Sequence, residues 1–568
     1  MSKVIKGLSA STGIVIGSAW VYHPVEIIIN RIENANPVLE WERLQNALIQ
    51  TKDQLKFLET KARDQVGEAE AEIFSTHLMF LEDPELLAVI KRKIDSNLNV
   101  EASVQEGFEG FANTLIALDD EYFQARAADI LDVGRRIVAC LSDINLGSVN
   151  LPKEPVVIFA EDLAPSDTML LEKNLILGFC TKRGGPTAHT AILARSLGVP
   201  AVVSAPFDMG QIETGQLVVL NGESGELIIE PTEHQLEEAV KKRDQVTEIW
   251  TNQLKKADQD AVTTDGHEVE VVANIGSLAD AIQAIEYGAE GVGLLRTEFL
   301  YLDRDHLPEL EDQVNIYQQI FEVMDNRPVV VRTLDIGGDK AVSYLGLKSE
   351  PNPFLGWRAI RMIGERPEIL RDQFQALLRA GVNTDLRIML PFVSSVDEVI
   401  AAKEIFSEAQ QILIQQKKPF AKRVQFGIMI EIPSAALLVE KFAEHVDFYS
   451  IGTNDLAQYT LAVDRTNERV ATLASPFHPA VIQLIALTIE KAHNCGKWVG
   501  LCGEMAGDPL ALPLLLGLNL DEFSMAPISV PGIKEKIRKS DKKACKKIAE
   551  HVLGLSKTND IITYLQNI

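Results

Sequence analysis

Residues 426–465 read FGIMIEIPSAALLVEKFAEHVDFYSIGTNDLAQYTLAVDR. Two short apolar runs, FGIMI at 426–430 and DFYSI at 447–451, are separated by a stretch long enough for a helix. Polar residues follow each run: Glu431 comes directly after the first, and Asn454 and Asp455 follow the second, in the turn GTND. Parallel strands need a crossover of this kind between them, usually a helix. The stretch therefore predicts a parallel sheet with polar groups at its strand ends.

The same alternation extends through the C-terminal half of the chain. The strand-like runs are VEVVAN (269–274), GVGLL (291–295), VVVRT (329–333), RIMLP (387–391), FGIMI (426–430), DFYSI (447–451), KWVGL (497–501) and EFSM (522–525). Eight parallel strands alternating with helices over about 300 residues match the size and period of a (β/α)8 barrel. We therefore predict a (β/α)8 TIM barrel for residues 261–568.

The N-terminal half combines two periodicities. Residues 1–22 and 147–230 contain short apolar runs between Gly, Pro, Asp and Asn turns, which predicts a mixed α/β domain. Between them, apolar residues recur at steps of three and four, which predicts four helices inserted as a bundle at 23–146. Residues 231–260 are charged and helical in pattern, and we expect a linker helix there. The whole chain is thus a multidomain α/β protein.

The composition argues against several classes of function. A chain of 568 residues is too long for one core, and it has no run of about 18 apolar residues that would predict a membrane span. The N-terminus alternates like a strand and lacks the layout of a signal peptide. The five cysteines are scattered without CxxC spacing, which argues against disulfides and zinc and suits a reducing cytoplasm. The net charge of −26 disfavours nucleic acid or anionic membranes as partners and suits a basic protein.

Reactive side chains collect at the C-terminal ends of the predicted barrel strands, the face where such barrels build their active sites. These side chains are Arg296, Arg332, Asp335, Glu431, Asn454, Asp455, Cys502 and Glu504. Glu431 and Asp455 are hard oxygen ligands on successive strand ends and suit Mg²⁺. Planar guanidinium forks for phosphate or carboxylate come from Arg296, Arg332, Arg358 and Arg465. The set predicts a small polyanionic substrate.

Some of these residues also have a purely structural interpretation. Arg358 and Arg465 can form surface ion pairs. Asp335, Asp339 and Lys340 in the segment DIGGDK can instead stabilise a turn through carboxylate hydrogen bonds and a salt bridge. The sequence leaves both interpretations open for these five residues.

A second candidate site lies in GGPTAHTAILARSLGVPAVVS at 184–204. A glycine turn and Thr187 as N-cap predict a helix that has His189 near its start and ends at Gly198. The N–H groups at a helix start stabilise a negative group, so His189 can carry a phosphoryl group there. A histidine in this place can also be an ordinary surface or capping residue.

Together these motifs resemble the enzyme I family of bacterial sugar phosphotransferase systems. GGPTAHTAILAR is similar to the phosphohistidine signature of phosphoenolpyruvate-utilising enzymes. VRTLDIGGDK, GIMIEIPSA, FYSIGTNDLAQYTLAVDR and LCGEMAGDP resemble the barrel motifs of enzyme I. EIFSTHLMFLEDPEL and DEYFQARAADILDVGRRI resemble its helical insertion, so the likeness covers essentially the whole chain.

The resemblance implies a phosphoryl transfer in two steps. Proteins of this family bind phosphoenolpyruvate and Mg²⁺ at the barrel mouth and autophosphorylate on the histidine that matches His189. They then phosphorylate the carrier HPr, which docks on the helical insertion, and they work as homodimers joined through the barrel. The resemblance also makes Glu431 and Asp455 the metal ligands and Cys502 the acid that protonates the enolate carbon. The substrate ligands that it implies are Arg296, Arg332, Arg358, Asn454, Asp455 and Arg465.

The insertion has a composition that fits a basic carrier. From Asp64 to Glu121 the sequence contains fourteen acidic residues and three basic ones. An acidic surface with apolar positions such as Phe74, Leu78 and Met79 suits a basic partner. The alternative is a solvated bundle face whose apolar residues are buried.

The chain departs from the family pattern beside the histidine. The preceding residue, commonly Ser, is Ala188, and Pro186 often has a polar counterpart. Both changes can alter hydrogen bonds around a phosphohistidine and its lifetime, and Thr168 can supply a hydroxyl to His189.

Three other functions compete with this interpretation. The nitrogen-related enzyme I carries an extra N-terminal sensory domain, whereas here the phosphohistidine pattern begins at once. Pyruvate phosphate dikinase and phosphoenolpyruvate synthase need a large nucleotide-binding domain, and the sequence has no P-loop GxxxxGK[ST]. An inactive regulatory scaffold would not need His189, Glu431, Asp455 and Cys502.

Overall fold

The computed structural model describes most of the chain in two compact units, residues 1–247 and 248–568. The described residues are 2–568 except 26, 34, 66–67, 118–120, 145, 147–151, 186–187, 303, 305, 338–343, 345–349, 351, 466 and 468–469. Of 63–65, 68–72, 121–125 and 196, only the backbone is described. Asp339 and Lys340, among the candidates from the sequence, and the residues Pro186 and Thr187 therefore lie outside the described part.

The first unit is built on an eight-stranded sheet with the order β1-β8-β7-β3-β4-β5-β6-β2. Its strands are β1 (Lys3–Lys6), β2 (Leu8–Ser11), β3 (Ile14–Val21), β4 (Val156–Ala160), β5 (Ile176–Thr181), β6 (Ala201–Val203), β7 (Leu217–Asn221) and β8 (Glu226–Ile229). The strands β3 to β6 pair in parallel, and the other pairs are antiparallel. All five residues of β4 are buried, which explains its continuous apolar sequence VVIFA. The predicted mixed α/β fold is confirmed.

A helical bundle is inserted between β3 and β4. It consists of α1 (Pro37–Gln65), α2 (Glu68–Leu81), α3 (Pro84–Asp95), α4 (Val100–Ile116) and α5 (Glu121–Leu141). The described part therefore contains five helices here, and the prediction of four was wrong. The chain breaks before α3 because Asp83 accepts a hydrogen bond from the Leu86 amide at 2.8 Å and Pro84 occupies the first helical turn.

Three further helices complete the first unit and the chain segment that follows its sheet. They are α6 (Pro165–Thr168), α7 (His189–Leu197) and α8 (Glu233–Lys255). The helix α7 ends at Gly198, whose φ of 68° is the left-handed conformation that glycine adopts without strain. The helix α8 occupies the segment that the charge pattern predicted as a helix.

The second unit is a closed barrel in which consecutive strands pair in parallel and the last pairs with the first. Its strands are β9 (Glu270–Ile275), β10 (Val292–Leu295), β11 (Val329–Arg332), β12 (Leu386–Leu390), β13 (Val424–Ile430), β14 (Phe448–Ile451), β15 (Trp498–Leu501) and β16 (Glu522–Met525). Its helices are α9 (Leu278–Glu286), α10 (Leu310–Met324), α11 (Pro367–Ala380), α12 (Val396–Gln415), α13 (Pro433–Leu437), α14 (Val439–Phe442), α15 (Thr453–Leu461), α16 (Pro479–Asn494), α17 (Leu512–Gly517), α18 (Val530–Lys539), α19 (Lys542–Leu553) and α20 (Thr558–Gln566). Every predicted barrel strand is present, which confirms the barrel.

Alternate strand residues fill the interior of the barrel, while the others pack against the helices. The interior cluster, hereafter the barrel plug, consists of Leu294, Val330, Met389, Met429, Phe448, Trp498 and Cys502. The rings of Phe448 and Trp498 stack with their centroids 4.5 Å apart. A Cβ at Gly427 would lie 2.5 Å from the Phe448 ring, so only glycine leaves room for it. Within the described residues, no helix is both long and apolar enough to span a membrane.

Candidate active site

The strand ends of the barrel bring most of the predicted site residues to one face. Arg332 is the last residue of β11, and Glu431 directly follows β13. Asp455 lies in the first turn of α15, which starts two residues after β14. Cys502 directly follows β15. Because the strands are parallel, all of these positions lie at the same mouth of the barrel.

A chain of ion pairs crosses this mouth, hereafter the ion-pair chain. Arg332 Nη1 lies 3.2 Å from Asp335 Oδ2. Arg358 donates to both oxygens of Asp335, from Nε at 2.7 Å and from Nη2 at 2.8 Å. Arg358 Nη2 also lies 3.2 Å from Asp455 Oδ2, and Arg465 Nη2 lies 3.4 Å from Asp455 Oδ1. Arg358 and Asp335 thus form a buried bidentate pair, and the surface ion pair considered for Arg358 is wrong.

Most of the ion-pair chain is buried. The exposed fraction is 0% for Asp335, 1% for Arg358 and 7% for Arg332. Burial alone would lower the pKa of Arg358, but Asp335 and Asp455 more than offset it and raise that pKa. The guanidinium groups of Arg358 and Arg332 therefore stay charged, and the carboxylates hold their planar forks in fixed orientations.

Glu298 also belongs to this network, although it was not among the residues predicted from the sequence. It lies on a short 3₁₀ turn after β10, is buried, and accepts a hydrogen bond from Arg332 Nη2. The available signal was its position in GLLRTEF, three residues beyond the end of a barrel strand. Arg296, in the same segment, has an exposed side chain that makes no hydrogen bond or ion pair with the described residues.

Glu431 and Asp455 form the candidate metal site. The exposed fraction of Glu431 is 1%, and its Oε1 accepts a hydrogen bond from the Phe392 amide at 2.5 Å. Burial, together with the charges of Asp455 and Asp335, raises the pKa of Glu431. Asp455 Oδ1 is buried and accepts no hydrogen bond from the described residues. A cation beside these oxygens would stabilise the two buried negative charges.

The donor set limits which cation would fit. Among the described residues, no cluster of three or more His, Cys, Asp or Glu side chains is arranged to hold a metal. Two carboxylates match Mg²⁺, which protein sites often hold through one or two carboxylates, water and substrate phosphate.

Cys502 lies at the top of the barrel plug and is 5% exposed. Its Sγ lies 3.7 Å from the carbonyl oxygen of Ile451. Burial raises the pKa of this thiol to about 11, so it is protonated at neutral pH. Next to it, Asn454 Nδ2 donates to Glu504 Oε1 at 3.1 Å, and the Glu504 amide donates back to Asn454 Oδ1 at 3.2 Å.

His189 is the first residue of α7, as the sequence predicted near a helix start, but the N-cap is Ala188 and not Thr187. Its side chain is half-buried, and burial lowers the pKa of His189. Asp129, which acts against this effect, is paired with His77 Nε2 at 3.6 Å and with Arg126 Nη1 at 3.2 Å. The imidazole therefore lies in the electrostatic field of the helical insertion.

Two smaller predictions about the first unit can be compared with the structure. The Thr168 hydroxyl donates to the Pro165 carbonyl at 2.7 Å, so its proton is not directed to His189. Of the apolar positions proposed for the surface of the insertion, Phe74 is in the core, Leu78 is half-buried and Met79 is 72% exposed. Only Met79 among the three is fully available as an apolar surface contact.

Comparison with known proteins places the chain among the PEP-utilising enzymes. Three family models match the chain: the PEP-utilising enzyme PEP-binding domain at 251–542, the PEP-utilising enzyme N-terminal domain at 6–126 and the PEP-utilising enzyme mobile domain at 152–225. A solved structure of Enzyme I shares 36% sequence identity, covers 43% of this chain and 99% of its own, and has a TM-score of 0.36.

Relatives of the same length carry one common name. The phosphoenolpyruvate-protein phosphotransferase of Priestia megaterium is 44% identical over 568 residues, which is 100% of this chain and 99% of the relative. The phosphoenolpyruvate-protein phosphotransferase of Bacillus subtilis (strain 168) is 42% identical over 563 residues, which is 99% of each chain. The chain therefore belongs to the phosphoenolpyruvate-protein phosphotransferase family of PEP-utilising enzymes.

Proposed function

We propose that this chain transfers the phosphoryl group of phosphoenolpyruvate to its own His189, releases pyruvate, and passes the group on to a histidine of the carrier HPr. This would be the first step of a bacterial sugar phosphotransferase system. The observation that carries the proposal is that three kinds of group converge at one barrel mouth. They are three arginines, two buried carboxylates and a buried protonated thiol: Arg332, Arg358, Arg465, Glu431, Asp455 and Cys502. Family membership over the full chain supports the same reaction.

The arginines account for substrate binding. Phosphoenolpyruvate carries a phosphate and a carboxylate close together, and the guanidinium groups of Arg332, Arg358 and Arg465 match both groups in geometry and charge. Arg332 and Arg358 are already fixed by carboxylates, so binding costs little side-chain entropy. Arg296 and Asn454 complete the proposed substrate ligands, with Asp455 shared between substrate and metal.

Glu431 and Asp455 are the proposed Mg²⁺ ligands. When bound, the ion would neutralise charge on the phosphoryl oxygens during transfer. The two carboxylates provide the hard oxygen donors, and the ion-pair chain holds Asp455 in place from both sides. The Phe392 amide fixes the orientation of Glu431.

His189 is the proposed nucleophile. Its Nε2 attacks phosphorus in line with the leaving enolate oxygen, so positioning and charge neutralisation dominate the barrier. The lowered pKa keeps the imidazole neutral, and therefore nucleophilic, at neutral pH. The N–H groups at the start of α7 are suited to stabilise the phosphoryl oxygens that it then carries.

Cys502 is the proposed acid that converts the enolate to pyruvate. A thiol can donate its proton only while protonated, and the raised pKa of Cys502 keeps it so. Its place at the top of the barrel plug gives the proton one direction of transfer, towards the mouth.

The remaining proposals follow from the family and the composition. We propose the domains 1–22 and 147–230 for the phosphohistidine, 23–146 for HPr docking, 231–260 as a linker helix and 261–568 for substrate binding and homodimer formation. The acidic composition of the insertion and its exposed Met79 suit a basic carrier. The five cysteines are free thiols, which suits a reducing cytoplasm.

The test is incubation with phosphoenolpyruvate labelled in its phosphoryl group, in the presence of Mg²⁺. We expect acid-labile label on the protein, and we expect His189→Ala to abolish it. The matched control is His234→Ala, because His234 lies on α8 with a side chain that is 80% exposed. Label that persists in His189→Ala, or that also disappears in the control, would contradict the assignment.

A further inference from the structure

Asn274 lies on β9 and reaches across the neighbouring strand to the backbone of Cys502. Its Nδ2 donates to the Cys502 carbonyl oxygen at 3.0 Å, although β9 does not pair with β15. The strand between them is β16, whose Ser524 donates its hydroxyl to Asn274 Oδ1 at 2.6 Å. These hydrogen bonds connect three consecutive strands at the point where the barrel closes.

The orientation of the Asn274 amide follows from chemistry. The carbonyl oxygen of Cys502 can only accept, so the atom that faces it must be the nitrogen. The Ser524 hydroxyl then donates to the amide oxygen and holds the Asn274 side chain in this orientation. Gly293 makes space for this hydroxyl, because a Cβ there would lie 2.4 Å from Ser524 Oγ.

Both peptide groups next to the Cys502 Cα are therefore anchored. The amide on one side donates to the Ile451 carbonyl at 3.0 Å, and the carbonyl on the other side accepts from Asn274. The following residue, Gly503, packs so closely on Thr453 that a Cβ would lie 1.8 Å from its hydroxyl oxygen. With both peptide planes fixed, the direction of the Cα–Cβ bond is fixed, and with it the range of positions open to the thiol.

We propose that Asn274, oriented by Ser524, is a positioning residue that aims the Cys502 thiol at the enolate carbon. This inference rests on the proposed function of Cys502. In the step concerned, the S–H bond breaks, the electron pair of the enolate double bond forms the new C–H bond, and the enolate oxygen becomes the carbonyl oxygen of pyruvate. The thiolate then recovers its proton from water.

The proposal separates two parts of the reaction. Asn274→Ala should leave the first-turnover labelling of His189 by phosphoenolpyruvate unchanged, because the phosphoryl group is transferred before the carbon is protonated. It should slow exchange of pyruvate methyl hydrogens with ²H₂O, measured by NMR on phosphorylated enzyme with Mg²⁺, by about 10- to 100-fold, as a small misplacement of a reacting group does. Ser524→Ala should give a smaller loss in the same assay.

A double-mutant cycle distinguishes positioning from general damage to the barrel. In a Cys502→Ala background, Asn274→Ala should cause no further loss of exchange, since its effect passes through the thiol. The matched control is Gln425→Ala, which removes another half-buried amide that accepts from Trp498 Nε1 at 3.0 Å near the opposite strand ends. That variant should keep normal exchange.

Three outcomes would overturn the proposal. One is an equal loss from Asn274→Ala with and without Cys502, and another is a parallel loss of first-turnover labelling. The third is normal exchange in Cys502→Ala, which would show that Cys502 is not the acid. The labelling of His189 is measured separately, so failure of the phosphoryl transfer is distinguished from failure of the positioning role.

Discussion

Replacing Asp335 by Asn tests whether the ion-pair chain holds the barrel mouth together. The substitution keeps the shape of the side chain but removes the negative charge between Arg332 and Arg358. Removing one partner of a buried ion pair costs about 3–5 kcal/mol. Arg332 keeps Glu298 and Arg358 keeps Asp455, so we expect the lower end, about 3 kcal/mol.

This free energy converts into a measurable change of melting temperature. At an unfolding entropy of about 2.1 cal/mol/K per residue, the roughly 320 residues of the unit 248–568 give about 0.7 kcal/mol/K. Asp335→Asn should therefore lower the Tm of that unit by about 4–5 °C. Differential scanning calorimetry of the intact chain measures it, and the KM for phosphoenolpyruvate should rise in parallel because the arginine forks lose their fixed orientation.

The matched control is Asp312→Asn. Asp312 pairs with Arg304 at 3.4 Å, but its side chain is 50% exposed. Exposed pairs contribute about 0–1 kcal/mol, so the control should lower the Tm by less than about 1.5 °C. If Asp335→Asn shifts the Tm no more than Asp312→Asn does and keeps a normal KM, the ion-pair chain does not fix the arginines, and the reasoning fails.

Four further predictions follow from individual groups. Cys502→Ala should accept label in a single turnover but release pyruvate slowly; steady turnover equal to that of the parent chain would remove its acid role. Because burial raises the Cys502 pKa to about 11, less thiolate is present at pH 8 than for an ordinary thiol. Its alkylation by iodoacetamide, measured by peptide mass spectrometry, should therefore still rise above pH 9. Glu431→Gln should weaken Mg²⁺-dependent labelling, seen as a higher Mg²⁺ concentration for half-maximal label, and an unchanged midpoint would contradict its ligand role. Asp83→Ala should cost the first unit about 1 kcal/mol through loss of the N-cap of α3, measured by urea unfolding.

The barrel could be predicted because its strands are buried on both faces. Runs such as VVVRT at 329–333 are uniformly apolar and end in polar residues, so the prediction differs from β11 by one residue. The helical insertion was harder. The apolar pattern continues across the junction of α2 and α3, and only the capping side chain of Asp83 with Pro84 reveals the break.

The candidate site was predictable where strand ends determine it and not where long-range contacts do. Glu431 and Cys502 follow strands directly, and Asp455 lies in the first helical turn after β14, so their meeting at one mouth follows from the fold alone. Glu298 reaches Arg332 only because a 3₁₀ turn redirects the chain after β10. Asn274 contacts Cys502, 228 positions away, and β16 lies between their two strands. No local sequence pattern indicates this contact.

The barrel plug limits the route by which substrate enters and product leaves. In the described part of the barrel, stacked aromatic rings and packed side chains fill the space below Cys502, so the thiol is approached from the mouth. Pyruvate must leave through the entrance that phosphoenolpyruvate used, and the two compounds cannot pass each other. Pyruvate that still occupies the mouth should therefore block the binding of phosphoenolpyruvate, and its departure must precede each new round of loading.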